Sequence, residues 1–168
     1  MQKATPADLK MLERIGRETF YEAFASDNTE EDMQDYLNKN FSTAQLTTEL
    51  NNPHSAFYFA LHENTAIGYL KINTGNAQTE LKNNHALEIE RIYISKKFQG
   101  KNAGKLLFEK ALEIAKQRKA PFLWLGVWEK NEKAIRFYER NGMSKFDTHI
   151  FKLGKDEQTD ILMKLDLS

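Results

Sequence analysis

The chain is expected to fold as a mixed α/β sheet, and three features of the sequence carry that expectation. Apolar residues recur at helical spacing through residues 5–50. Two adjacent strand-like runs follow, separated by a tight turn. Beyond residue 86, strand-like and helix-like segments alternate before two final strands.

Residues 2–4 are long enough only for an edge strand. "TPADLKMLERIGRETFYEAF" reads as a helix. Thr5 is placed to cap it, Pro6 takes its first position, and Asp8 lies in the first turn. Leu9, Leu12, Ile15, Thr19 and Phe20 recur at helical spacing. "NTEEDMQDYLNKNF" is a second, strongly acidic helix. "STAQLTTEL" is a short third helix with a capping-box pattern, Ser42 with Gln45. "SAFYFALHENTAIGYLKINT" gives two strands joined at Glu63–Asn64–Thr65. "NAQTELKNNH" is a polar loop, and "ALEIERIYI" alternates as a strand. A helix through "FEKALEIAKQR" follows, with Lys116, Arg118 and Lys119 suiting its negative end and Pro121 stopping it. "FLWLGVW" is continuously apolar, as in a strand buried on both faces. "NEKAIRFYERNG" is a helix that Asn131 can cap and that Asn141–Gly142 ends. "SKFDTHIFKL" and "TDILMKLDL" close the chain as strands around a glycine turn.

With 168 residues, 40% of them apolar, residues 1–168 are expected to form a single domain with a substantial core. Formal net charge is zero, so no global field points to nucleic acid or a membrane. The charge is unevenly spread. Residues 1–60 hold five Lys/Arg against ten Asp/Glu, and residues 91–140 hold thirteen against five. Two solvated faces would give this pattern, and so would an anionic ligand on one side and a cationic one on the other. The chain has no cysteine, which excludes disulfides and a cysteine nucleophile. "MQKATPADLK" has no apolar signal core, and no run reaches the roughly 18 apolar residues of a membrane span. A cytoplasmic location is therefore expected.

"FQGKNAGKLL" raises the question of phosphate binding. It fails the Walker pattern, because three residues separate Gly100 from Gly104 and Lys105 is followed by Leu106. It also fails the dinucleotide pattern G-x-G-x-x-G. It fits Gln/Arg-x-x-Gly-x-Gly/Ala between a strand and a helix. Such a turn aims successive backbone N–H groups at one point, where the helix N-terminus adds positive potential, and so suits a pyrophosphate. Asn102 replaces the first motif glycine. Asparagine enters left-handed backbone conformations more readily than most residues, so the turn can survive.

A second pattern, N-x-x-A-x-x-x-Y-x-x-x-G-hydrophobic, is met by Asn131, Ala134, Tyr138, Gly142 and Met143. With both motifs in this order, the chain resembles the GNAT superfamily of acetyl-coenzyme A-dependent N-acetyltransferases over nearly its whole length. "LEIERIYI", "WLGVWEKNEKAIRFY" and "EQTD" are similar to the bacterial spermidine/spermine N-acetyltransferases of the PaiA type. The resemblance implies the GNAT acyltransferase fold, a mixed, mostly antiparallel twisted sheet flanked by helices. It implies acetyl-coenzyme A as cosubstrate, with its pyrophosphate on the backbone of Gln99, Gly100, Lys101, Asn102, Ala103, Gly104 and Lys105. Its pantetheine arm would pair with Ile92, Tyr93 and Ile94. Asn131 and Lys133 would bind the coenzyme, Asn131 as well as capping its helix, and Tyr138 would also contact it. Tyr138 would be the general acid, since a phenol is a plausible proton donor to a departing thiolate.

The base is open. Glu88 and Glu90 lie two residues apart on one strand and share a face. Glu90, closer to the strand end, is slightly preferred, and water is a third route. Either carboxylate could equally be solvated or ion-paired beside Arg91. Glu30, Glu31, Asp32 and Asp35 of the acidic second helix could draw a polycation or simply face solvent. The four histidines show no ligand spacing, so no metal is expected. The implied reaction is acetyl transfer to a small-molecule primary amine, spermidine or spermine first. A protein N-terminus, an amino sugar or an amino-containing drug is the alternative acceptor, and a non-catalytic acyl-coenzyme A sensor is the alternative class. The long aromatic C-terminal strands would suit a homodimer.

Overall fold

The computed structural model describes residues 1–81, 83 and 85–167. Lys82 and Asn84, within the polar loop expected at 76–85, and Ser168, last in the expected 1–168 domain, lie outside the described residues. In chain order the elements are β1 (Gln2–Lys3), α1 (Leu9–Phe24), α2 (Glu30–Asn40), α3 (Thr43–Asn51), β2 (Ser55–His62), β3 (Thr65–Asn73), β4 (Leu87–Ile94), α4 (Ala103–Gln117), β5 (Phe122–Trp128), α5 (Glu132–Arg140), β6 (Ser144–Leu153) and β7 (Asp156–Asp166). The strands form one seven-stranded sheet in the order β1-β2-β3-β4-β5-β7-β6. Only β4 and β5 run parallel, joined by the crossover through α4.

Local chemistry sets most boundaries. The Thr5 backbone N–H and hydroxyl both donate to Asp8 Oδ2, at 2.9 and 3.2 Å, across the short 3₁₀ turn that leads into α1. Thr29 caps α2 by accepting from Asp32 N–H. Ser42 accepts from Gln45 N–H at 3.1 Å, but the expected capping box is only half made, because Gln45 turns its amide to Glu49 instead. The hairpin pairs His62 directly with Thr65, so its turn is the two residues Glu63–Asn64, both at positive φ. β7 starts at Asp156, earlier than the sequence suggests, and pairs the whole length of β6 across the Gly154–Lys155 turn.

The sheet carries helices on both faces. Leu107, Phe108, Ala111 and Ala115 of α4 and Ile135 of α5 pack against Leu70, Ile72, Leu125 and Met163 on one face. Leu12, Ile15 and Phe20 of α1, Met33 and Leu37 of α2 and Leu46 of α3 pack against Phe57, Phe59 and Tyr69 on the other. Each fully buried side chain of this kind contributes about 1.5–3 kcal/mol. Two irregularities shape the middle of the sheet. At Gly68 an added Cβ would lie 2.6 Å from the Tyr93 carbonyl oxygen, so β3 reaches the end of β4 this closely only as glycine. At Glu90 the register slips from Lys71↔Arg91 to Ile72↔Ile89, leaving Glu90 as an extra residue, a β-bulge. The bulge resets parity. Leu87 and Ile89 before it, and Ile92 and Ile94 after it, all face α4, which an unbroken pleat does not allow.

Candidate active site

β4 and β5 pair only at Leu87↔Leu123, Glu88↔Trp124 and Ile89↔Leu125. Beyond Ile89 the strands part, and the edge of β4 that faces β5 is left without a ladder. A cleft of about 1130 Å³ opens at this fork, lined from both faces of the sheet.

On the α4–α5 face the cleft meets the glycine loop. Asn102 is at φ 65°, ψ 4°, the left-handed conformation expected of it, and makes no side-chain cap bond. Gly100 is at φ +78°, and nothing stands within 4 Å of where its Cβ would be, so the approach to its backbone is open. The first bond back into α4 runs from Leu106 N–H to the Asn102 carbonyl. The N–H groups of Ala103, Gly104 and Lys105 therefore have no partner among the described residues. Lys96, Lys105, Lys130, Lys133 and Arg140 ring this part of the cleft. The donor set fits a pyrophosphate, and the edge of β4 beyond the ladder, where the Ile94 carbonyl accepts from Gln99 Nε2 at 3.2 Å, fits an extended amide-bearing arm.

Asn131 caps α5, accepting from Ala134 N–H at 3.2 Å, and also lines the cleft. Tyr138, about two turns further along α5, is 7% exposed and lines the cleft beside Phe137. Burial pushes its phenol above the ordinary range, so it holds its proton. No described residue hydrogen-bonds its hydroxyl.

Glu88 and Glu90 share a face, and Asn73 Nδ2 bridges them at 3.0 and 2.8 Å. Their surroundings differ. Glu88 is 2% exposed and accepts from the Thr79 N–H and hydroxyl. Burial raises its carboxyl and the charge of Glu90 adds to this, while the bonds from Thr79 and Asn73 oppose it. For Glu90 burial also acts upward, but the adjacent Arg91 and Lys71 and hydrogen bonds from Lys71 and Asn73 outweigh it and hold the carboxyl low. Lys71 Nζ lies 2.5 Å from both Glu90 Oε2 and Glu49 Oε1. Arg91 NH1 lies 3.1 Å from Glu49 Oε1, and its guanidinium lies over the Phe41 ring at 4.8 Å. Glu90 is thus a committed ion-pair partner, whereas Glu88 is held by neutral donors.

The cleft brings together Glu88, Glu90, Ile92, Tyr93, Ile94, Gln99, Gly100, Asn102, Gly104, Lys105, Asn131, Lys133 and Tyr138. Lys101 and Ala103 do not line it: Lys101 Nζ sits over the Phe98 ring, and the Ala103 side chain is buried in the core. The acidic residues of α2 do not line it either. That helix contributes Tyr36 and Asn40, while Glu30 accepts from Tyr21 and Gln34 outside the cleft. The carboxylates on the α1–α3 face come instead from Glu80, Glu88, Glu90 and Asp160. Glu80 and Asp160, with His149 and Phe151, were missed by the sequence reading, and Trp128 joins them in the cleft. Strand parity was the available signal. Ile161, Met163 and Leu165 face α4 and α5, so Asp160 must face the other way.

The acetyltransferase (GNAT) family model matches residues 15–143. The chain belongs to the GNAT family of acetyltransferases. A GNAT relative from Lactobacillus delbrueckii subsp. lactis, an uncharacterized N-acetyltransferase in the pepI 3' region, is 45% identical over 157 residues, covering 94% of this chain and 91% of the relative. The spermidine N(1)-acetyltransferase of Thermoplasma acidophilum is 26% identical over 152 residues, covering 88% and 89%. The crystal structure of a PaiA N-acetyltransferase from Thermoplasma acidophilum in complex with coenzyme A superposes with a TM-score of 0.81 at 24% identity, covering 99% of this chain and 97% of that one. The seven-stranded, mostly antiparallel sheet with helices on both faces is the GNAT fold. Among the described residues no helix is long and apolar enough to cross a membrane.

Proposed function

We propose that this GNAT acetyltransferase transfers acetyl from acetyl-coenzyme A to a primary amine of a small polyamine such as spermidine or spermine. One observation carries the reading: the fork between β4 and β5 opens to both faces of the sheet. Its α4–α5 side offers free N–H groups and basic side chains to an anion. Its α1–α3 side offers carboxylates and aromatic rings to a cation. The likeness to a spermidine N(1)-acetyltransferase points to the same acceptor class.

Bound acetyl-coenzyme A supplies a thioester and a leaving thiol. The residues of this chain do the rest. The N–H groups of Gly104 and Lys105 hold the pyrophosphate, and the edge of Ile92–Ile94 beyond the β5 ladder holds the pantetheine arm. Glu88, rather than the Glu90 favoured on strand position alone, takes the proton from the incoming ammonium. Its carboxyl lies closer to neutrality and carries no cationic partner. Tyr138 keeps its proton until the carbon–sulfur bond breaks and then gives it to the sulfur. Placing amine and thioester on opposite sides of one narrow fork supplies the orientation.

The test is thiol release from acetyl-coenzyme A across spermidine, spermine, an amino sugar and a peptide with a free N-terminus. Turnover highest with the polyamines is expected. Turnover with the peptide alone would overturn the acceptor class, and no turnover with any amine would overturn the reaction.

A further inference from the structure

Five acidic residues line the cleft: Glu22, Glu80, Glu88, Glu90 and Asp160. Four have donors. Glu22 accepts from Lys96 N–H at 2.7 Å and Glu80 pairs with His149 Nε2 at 2.9 Å. Glu88 is held by Thr79 and Asn73, and Glu90 by Lys71 and Asn73. The Asp160 carboxylate has no hydrogen bond or ion pair with any described residue, although its backbone is laddered into the sheet. A carboxylate that the fold leaves partly desolvated and unpaired within a substrate cleft is placed to receive a cation from outside the chain.

Its neighbours specify the kind of cation. Asp160 stands opposite Trp128 in the β5–β7 register and opposite His149 in the β6–β7 register. Strand parity puts it on the α1–α3 face. There Phe24 lies 6.2 Å from Trp128 and 6.5 Å from Phe151, and Tyr36 lies 5.9 Å from Phe151, measured between ring centroids. All four rings line the cleft. On the neighbouring strand β5, Gly126 presents no side chain to Asp160, and a Cβ there would lie 3.5 Å from Asp160 Oδ2. Apolar rings suit methylene groups and the edge of an ammonium, and the carboxylate suits the ammonium itself. Among the described residues no group of three or more acidic or histidine side chains is disposed to hold a metal ion.

We propose that Asp160 is a specificity-determining residue that binds a second, non-reacting ammonium of the acceptor, with Phe24, Tyr36, Trp128 and Phe151 walling the methylene chain between the two nitrogens. This rests on the amine-acetyltransferase reading above and narrows its acceptors to linear amines with at least two cationic nitrogens. Glu88 serves the reacting nitrogen and Asp160 the remote one. The Glu80–His149 pair flanks Asp160 and keeps Glu80 from taking its place.

The experiment compares kcat/KM for 1,4-diaminobutane and n-butylamine, which share a chain length and differ by one charge, in the wild type and in Asp160→Asn. Wild type is expected to favour the diamine. The variant is expected to lose about tenfold or more of that preference, the loss of one charge-assisted hydrogen bond. Calorimetric binding of 1,4-diaminobutane to the coenzyme A-loaded protein should weaken by a similar factor, and Asp160→Glu should restore part of it. Equal use of the two amines by the wild type, or a preference that survives Asp160→Asn, overturns the proposal and leaves the acetyltransferase reading standing. If neither amine is acetylated, nor any other, the amine reading itself fails, and this proposal with it.

Discussion

A residue kept for a ligand should cost stability when the ligand is absent, and Asp160 allows that cost to be worked out. Its carboxyl is carried from 3.8 to about 6, chiefly by burial, with Glu80 adding to the rise and His149 opposing it. The folded protein therefore holds this proton more tightly than the unfolded chain does. The resulting stability is fully present below about pH 4 and is lost as pH rises through about 6. At about 1.36 kcal/mol for each tenfold change in acidity, the ionised group costs the fold roughly 3 kcal/mol at pH 8. The side chain is partly open to solvent, and screening reduces this to about 1–2 kcal/mol. Asp160→Asn removes the charge and keeps the shape. Urea unfolding at pH 8 should show the variant more stable by about 1–2 kcal/mol, which at this size is about 2–8 °C in Tm. The difference should shrink toward zero at pH 4. A variant no more stable than the wild type at pH 8 would refute the reasoning, because the carboxylate would then have a partner in the fold.

Other substitutions probe the rest of the cleft. Tyr138→Phe should lower kcat about a hundredfold or more and leave KM for acetyl-coenzyme A within about twofold, measured by initial rates of thiol release. Lys71→Met leaves Glu49 and Glu90 with only Arg91 between them and should cost about 3–5 kcal/mol in denaturant unfolding. Asn102→Gly places the residue most at ease at φ 65° in a position where the asparagine side chain makes no cap bond. Stability should change by less than about 1 kcal/mol and KM for acetyl-coenzyme A should not rise. A marked rise would make the Asn102 side chain a ligand in its own right.

What the sequence revealed and what it hid divide along one physical line. Features written within a few residues were legible. The Asn131 cap, the left-handed Asn102, the turn at Glu63–Asn64 and the end of α5 at Asn141–Gly142 all follow from local backbone chemistry. The family pattern in "QGKNAGK" and "NEKAIRFY" is likewise local. Features made by distant segments were not legible. Nothing local says that β4 and β5 part after Ile89, or that Glu90 is a bulge, because both depend on pairing across the sheet. The sequence leaves Glu90 open as base or as an ion-paired carboxylate beside Arg91, and it hides Lys71 from β3 and Glu49 from α3, which come together around Glu90 only in the folded chain. The acids of α2 drew attention because they are consecutive, yet they lie outside the cleft. Glu80 in a loop and Asp160 on β7, which do line it, are single letters in unremarkable runs.

The fork also means that the seven strands are not one mechanical unit. Four strands lie to one side of it and three to the other, tied by the three rungs at Leu87–Ile89 and otherwise by α4 and side chains. An extended arm laid in the gap, as proposed above, would take the place of the missing rungs and weld two half-sheets into one. Cohesion of the sheet is then partly on loan from the bound molecule, and the enzyme in its resting state is a seam held open.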